Sequence, residues 1–146
     1  MIVQFVCEQG IARSQIAGAL FNDPIHETRS TGIVPGWYEG KTLSKIGATS
    51  LLESMSLFGY DISNKVVRRL TNDAIKRAGL LVVMGQKSTW PYYLIKAAAN
   101  GKVIHWEIQD PVGYTREEYI WLINGMREEL QRLKGMLEER LKLVYS

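Results

Sequence analysis

One cysteine (Cys7), two histidines and four prolines are all that 146 residues hold of those types. A lone cysteine forms no disulfide within its own chain, which fits a reducing cytoplasm and leaves the thiol free for other work. The histidines, His26 and His105, lie far from Cys7 in sequence and lack metal-ligand spacing, so structural or surface roles are expected and no metal is. No apolar stretch approaches the ~18 residues of a membrane span, and no basic segment leads into a long apolar one at the N-terminus, so neither a transmembrane helix nor a signal peptide is expected. The net charge of +3 suits anionic ligands yet is too small to argue for nucleic acid. Repeats, low-complexity tracts and linkers are absent too.

What is present is an ordinary globular composition, 46% hydrophobic and 23% charged. It predicts one domain over 1–146, large enough to bury about 70% of its unfolded surface without covalent staples. Ile2-Val3-Gln4-Phe5-Val6 reads as a short buried strand, and a helix is expected over 14–22. A second strand is expected near 28–31, followed by a Gly- and Pro-rich loop to Gly40 that carries Trp37 and Tyr38. Thr42 predicts the cap of a helix running to about Phe58, on the spacing of Leu43, Ile46, Leu51, Met55 and Phe58. Ile62 to Leu70 suggests a further short helical piece, and Thr71 with Asp73 starts a helix that stops at Gly79. Leu80 to Met84 is a continuous apolar strand, Pro91 opens a helix ending near Gly101, and Lys102 to Ile108 gives a fourth strand. Thr115 and Glu118 form a capping box for a last helix over about 115–144. Strands alternating with helices predict an α/β fold: a doubly wound, four-stranded parallel sheet with helices on both faces.

Cys7 stands directly after the first strand and six residues before Arg13. A loop between a strand and a helix can curl its N–H groups around one anion, with the helix N-terminus behind them. Arg13 adds a planar fork matched to two phosphate oxygens. The positive field of such a cradle favours the thiolate, the nucleophilic form of a cysteine at its base. Phosphate anion is therefore the expected ligand of Glu8, Gln9, Gly10, Ile11, Ala12, Arg13 and Ser14. Ligands of parallel sheets sit beyond the carboxyl ends of the strands, so Asp110, which also follows a strand, can meet Cys7 on one rim.

These residues resemble the low-molecular-weight protein tyrosine phosphatase family, which includes the thioredoxin-coupled arsenate reductases. The matching pieces run from Val6-Cys7 to Arg13-Ser14-Gln15, then Ser30-Thr31-Gly32, Phe58 to Ser63, the strand ending at Met84, and Asp110-Pro111. They fall in family order over nearly the whole chain. The resemblance implies Cys7 as nucleophile, Arg13 as phosphate and transition-state clamp, Ser14 as the hydroxyl that stabilises the thiolate, and Asp110 as general acid and then base, with no metal or other cofactor. It also puts an aromatic wall of the substrate cleft near Trp37 and Tyr38, and Tyr114 beside the cleft. The implied substrate is a phosphorylated protein or a small phosphomonoester, with phosphotyrosine foremost and phosphoarginine or a sugar phosphate open.

The departures are specific. Gly10 stands where the family usually has Asn in a left-handed conformation, which glycine keeps accessible. Glu8 brings a carboxylate to a dianion cradle, tolerable only if it points outward or meets a cationic part of the substrate. Val112 and Gly113 precede Tyr114 where many phosphotyrosine-selective relatives have tyrosines, Gly85 replaces an acidic residue, and Ala12 replaces the second cysteine of eukaryotic members. Two alternatives stay open: a phosphate- or phosphoprotein-binding module with little turnover, and an arsenate reductase that uses an external thiol, since the chain has no further cysteine. The basic residues Lys65, Arg68, Arg69, Lys76 and Arg77 read as solvated helix surface. A last helix of roughly 30 residues extends about 45 Å against a domain radius of gyration of about 15 Å. Leu137, Leu141 and Val144 therefore either find a partner, as in a homodimer, or fold back on the domain.

Overall fold

Val3, Phe5 and Cys7 turn to one side of the first strand, β1 (Ile2–Cys7), and Gln4 and Val6 to the other, as a two-residue period requires. The computed structural model describes residues 1–145, with side-chain surroundings through Lys142. β1 pairs in parallel with β2 (Glu27–Gly32) and with β3 (Leu80–Val83), and β3 with β4 (Val103–His105). The sheet order is β2-β1-β3-β4. One face is covered by α1 (Arg13–Phe21), α2 (Thr49–Leu57) and α5 (Arg116–Tyr145), whose Ile16, Leu51 and Ile123 join Phe5 in the larger core. The other is covered by α3 (Asn72–Arg77) and α4 (Tyr92–Ala99), whose Ile75 and Leu94 meet Val6 and Val83. This is the expected parallel α/β sheet with helices on both faces. Each fully buried Leu, Ile or Phe contributes about 1.5–3 kcal/mol relative to exposure, and the two cores hold the carboxyl ends of β1 and β3 side by side.

Helix starts follow local chemistry. Thr71 Oγ1 accepts from the Ala74 N–H at 3.1 Å and begins α3. Thr115 and Glu118 form the expected reciprocal box: Glu118 N–H donates to Thr115 Oγ1 and Thr115 N–H to Glu118 Oε1, each at 3.2 Å. Pro91 occupies the cap position of α4 with φ −71°.

Two expected helical segments are not helices. Thr42 bridges Val66, residues 43–47 form turns, and α2 starts only at Thr49. Ile62–Leu70 is extended or turn throughout. The reason is shared: these segments bond each other across the loop region, with Leu43 N–H donating to Lys65 O at 2.9 Å and Val67 N–H to Lys41 O at 2.9 Å. Leu43 is fully buried all the same, so its apolar character served the core rather than a helix face. β4 is also shorter than 102–108.

Leu130, Leu133 and Leu137 of α5 are each under 5% exposed within the larger core. The domain itself therefore covers Leu137, in line with the fold-back reading, while Leu141 is partly exposed. The side chain of Val144 lies outside the described residues. No helix among the described residues is long and apolar enough to cross a membrane.

Candidate active site

β1 ends at Cys7 and α1 begins at Arg13, so five residues turn the chain from sheet to helix. Inside that turn Gly10 takes φ +75°, the left-handed conformation that costs glycine nothing. Its N–H donates to Cys7 Sγ at 3.3 Å. Ser14 Oγ lies 3.2 Å from the same sulfur. Cys7 is 2% exposed and Ser14 fully buried, so the sulfur is approached from one side only. That side is a cavity of about 240 Å³ lined by Cys7, Gln9, Ile11, Ala12, Arg13, Tyr38, Asp110 and Val112 among others.

Arg13 is 3% exposed, and its guanidinium is held by two carbonyls from segments distant in sequence. Nη1 donates to Met84 O at 2.8 Å and to Ile108 O at 2.9 Å. Those bonds aim the remaining N–H groups into the cavity, where Nη2 stands 3.9 Å from Asp110 Oδ2. The Asp110 side chain is 42% exposed, at the mouth rather than the floor. Tyr119, behind it, has its hydroxyl pushed above the ordinary phenol range, chiefly by burial and secondarily by the negative charges of Asp110 and Tyr114. The arrangement thus stacks a sulfur at the base, a cationic fork and helix N-terminus at the wall, and a carboxyl at the entrance.

Of the residues singled out in the sequence, Cys7, Gln9, Ile11, Ala12, Arg13, Tyr38 and Asp110 line this one cavity. Glu8 does not. Its side chain turns toward the rim of β3, where Gln86 N–H meets Oε1 at 3.5 Å, so it leaves the cradle to backbone and Arg13. Trp37 is 71% exposed, with Lys41 Nζ 3.8 Å from its ring centre, and does not line the cavity. Tyr114 stands one ring further out, 5.7 Å from Tyr119, and lines a separate depression with Trp121. No group of three or more His, Cys, Asp or Glu side chains among the described residues is placed to hold a metal.

Three residues that the sequence shows only as matching pieces act as supports. Buried Gln15 donates through Nε2 to Gly10 O and Val66 O, each at 3.3 Å, and so braces the turn against the loop. Ser30 Oγ donates to Ser14 O at 2.6 Å. Gly32 lies against the backbone of Gln9 and Gly10, where an added Cβ would fall inside the Gln9 carbonyl group. Gly32→Ala must therefore displace the loop or the strand, and a destabilisation of about 2–3 kcal/mol is expected, measured as a lower urea midpoint with weakened phosphate binding. Only the run Ser30-Thr31-Gly32 hinted at this; nothing local says that another backbone lies on top of it.

No protein-family model matches the chain, and no curated protein does. Solved structures do. The YwlE arginine phosphatase from Geobacillus stearothermophilus is 21% identical, with a TM-score of 0.78, covering 97% of this chain and 96% of its own. Vibrio vulnificus Wzb in complex with benzylphosphonate is 20% identical, with a TM-score of 0.78, covering 92% and 97%. A low-molecular-weight protein tyrosine phosphatase from T. tengcongensis is 22% identical, with a TM-score of 0.73, covering 93% and 99%. The fold of this chain is therefore that of the low-molecular-weight protein tyrosine phosphatases.

Proposed function

We propose that the protein hydrolyses phosphate monoesters through a phosphocysteine on Cys7. The observation that carries this reading is the single cavity in which Cys7 Sγ, the Arg13 fork and Asp110 converge, with Gly10 N–H already directed at the sulfur. Sγ attacks phosphorus as the ester P–O bond breaks, and the Asp110 carboxyl gives its proton to the departing oxygen. Arg13 and the loop amides hold the three equatorial oxygens. Asp110 then takes a proton from water, which attacks phosphorus, frees Sγ and releases inorganic phosphate. The outward turn of Glu8 favours this over a binding module without turnover, because it removes the carboxylate that would oppose a dianion.

A phosphorylated protein side chain is the substrate we favour. Tyr38 and Ile11 give the cavity wall apolar surface, suited to an aryl group, and of the similar structures one is named an arginine phosphatase and another a tyrosine phosphatase. The test is phosphate release from para-nitrophenyl phosphate. The wild type is expected to turn over without added metal, and Asp110→Asn to lose about a hundredfold in kcat. The loss is expected to shrink with an ester whose leaving group needs no proton. Absence of wild-type turnover alongside tight phosphate binding would transfer the assignment to a binding module.

A further inference from the structure

The strand at the outer edge of the sheet supports the site above through Ser30 and Gly32, but its outward side is a separate surface. β2 is the end strand. Glu27 N–H donates to Met1 O and Ile33 N–H to Cys7 O, which sets the phase of the parallel ladder: odd-numbered residues face β1 and even-numbered ones face outward. Gly32 directs both outward groups at the 68–70 segment, its N–H donating to Arg68 O at 2.8 Å and its carbonyl accepting from Leu70 N–H at 2.8 Å. Before Arg68 that segment leaves the edge for Lys41 and Leu43. Among the described residues, nothing takes the outward backbone groups of Thr28 and Ser30.

A cavity of about 540 Å³ fills that gap, more than twice the volume of the one at Cys7. It is lined by α1 from one face of the sheet, by Gln4 and Ala74 from the other, and by Thr28–Thr31 along the edge, so it wraps around the strand as an added strand would. Arg29, Lys65, Arg68 and Arg69 line it and no carboxylate does. Arg29 and Arg69 have exposed partners in Glu27 and Glu39, pairs of small worth in water. Lys65 and Arg68 have none among the described ion pairs. At the inner wall Gln4, 1% exposed, donates through Nε2 to Thr31 Oγ1 at 3.0 Å while its Oε1 has no partner.

We propose that this edge docks an acidic, extended segment of a partner protein. The segment adds beside Thr28–Ser30 as a fifth strand, its main chain bonded to their outward groups and its carboxylates set against Lys65, Arg68, Arg29 and Arg69. Main-chain pairing supplies affinity and the charges select the partner. About three residues, some 10 Å of strand, span the open stretch. The surface stands independently of the chemistry at Cys7, so each can fail without the other. The competing account of edge lysines and arginines is that they repel other strands, and it predicts no binding at all.

The experiment uses a short unphosphorylated peptide alternating glutamate with valine, labelled for fluorescence anisotropy, against the same peptide with glutamine for glutamate. The full chain is expected to bind the acidic peptide, more weakly as salt rises, and to bind the glutamine peptide at least tenfold more weakly. The double variant Lys65→Glu with Arg68→Glu, both exposed positions, is expected to lose at least tenfold while keeping its circular dichroism. Thr28→Pro removes an outward N–H without touching the β1 ladder and is expected to lose binding likewise. Amide shifts in nuclear magnetic resonance are expected at Thr28 and Ser30. Equal binding of the two peptides, undiminished binding by the double variant, shifts elsewhere, or no binding at millimolar peptide would each overturn the proposal.

Discussion

Cys7→Ser is expected to abolish hydrolysis, by about 10⁴-fold or more, while leaving phosphate bound in the cavity. The two outcomes have separate causes. The hydroxyl is a far poorer nucleophile than sulfur, and the one side chain hydrogen-bonded at position 7 is the Ser14 hydroxyl, which is no base. Binding, by contrast, rests on loop amides and on Arg13, whose anchors at Met84 O and Ile108 O do not involve position 7. Calorimetric titration with inorganic phosphate, beside para-nitrophenyl phosphate turnover, reads both. Retained turnover in Cys7→Ser would exclude a phosphocysteine.

Arg13→Lys is expected to cost about 10³-fold in kcat/KM and to lower stability as well. Lysine keeps the charge, yet it has one nitrogen where Arg13 uses Nη1 on two carbonyls and Nη2 toward the cavity. An ammonium can satisfy the carbonyls or the anion, not both. Left to the anion, it strands Met84 O and Ile108 O in a buried setting, at about 1–3 kcal/mol for an unmet acceptor. Turned to the carbonyls, it withdraws the transition-state clamp, and arginines in that role are worth about 10³–10⁵ in rate. Steady-state kinetics with a thermal melt checks both; a variant with wild-type kcat/KM would remove Arg13 from the chemistry.

Hydrophobic runs and turn chemistry gave away the sheet and most helices, because β1, β3 and α5 carry their signals within a few residues. The segments 42–48 and 62–70 were misread for the opposite reason: their backbone partners are each other, some twenty residues apart, and the spacing of Leu43, Ile46, Ile62 and Leu70 mimics a helical face. At the site, Cys7, Arg13 and Asp110 were legible because each follows or leads a regular element. The supports Gln15, Ser30 and Gly32 were not, since their partners come from other elements. The resemblance puts an aromatic wall near Trp37 and Tyr38, and only Tyr38 lines the cavity while the Trp37 indole is exposed. Glu8 shows the converse: its identity raised an objection that its direction removes.

The two carbonyls that grip Nη1 belong to Met84, just after β3, and to Ile108, two residues before Asp110. One side chain thus rivets the segment that carries Asp110 to the middle of the sheet. Should that segment peel away, the cation would lose an anchor at the same moment the Asp110 carboxyl departs, so the cavity would surrender both in a single stroke.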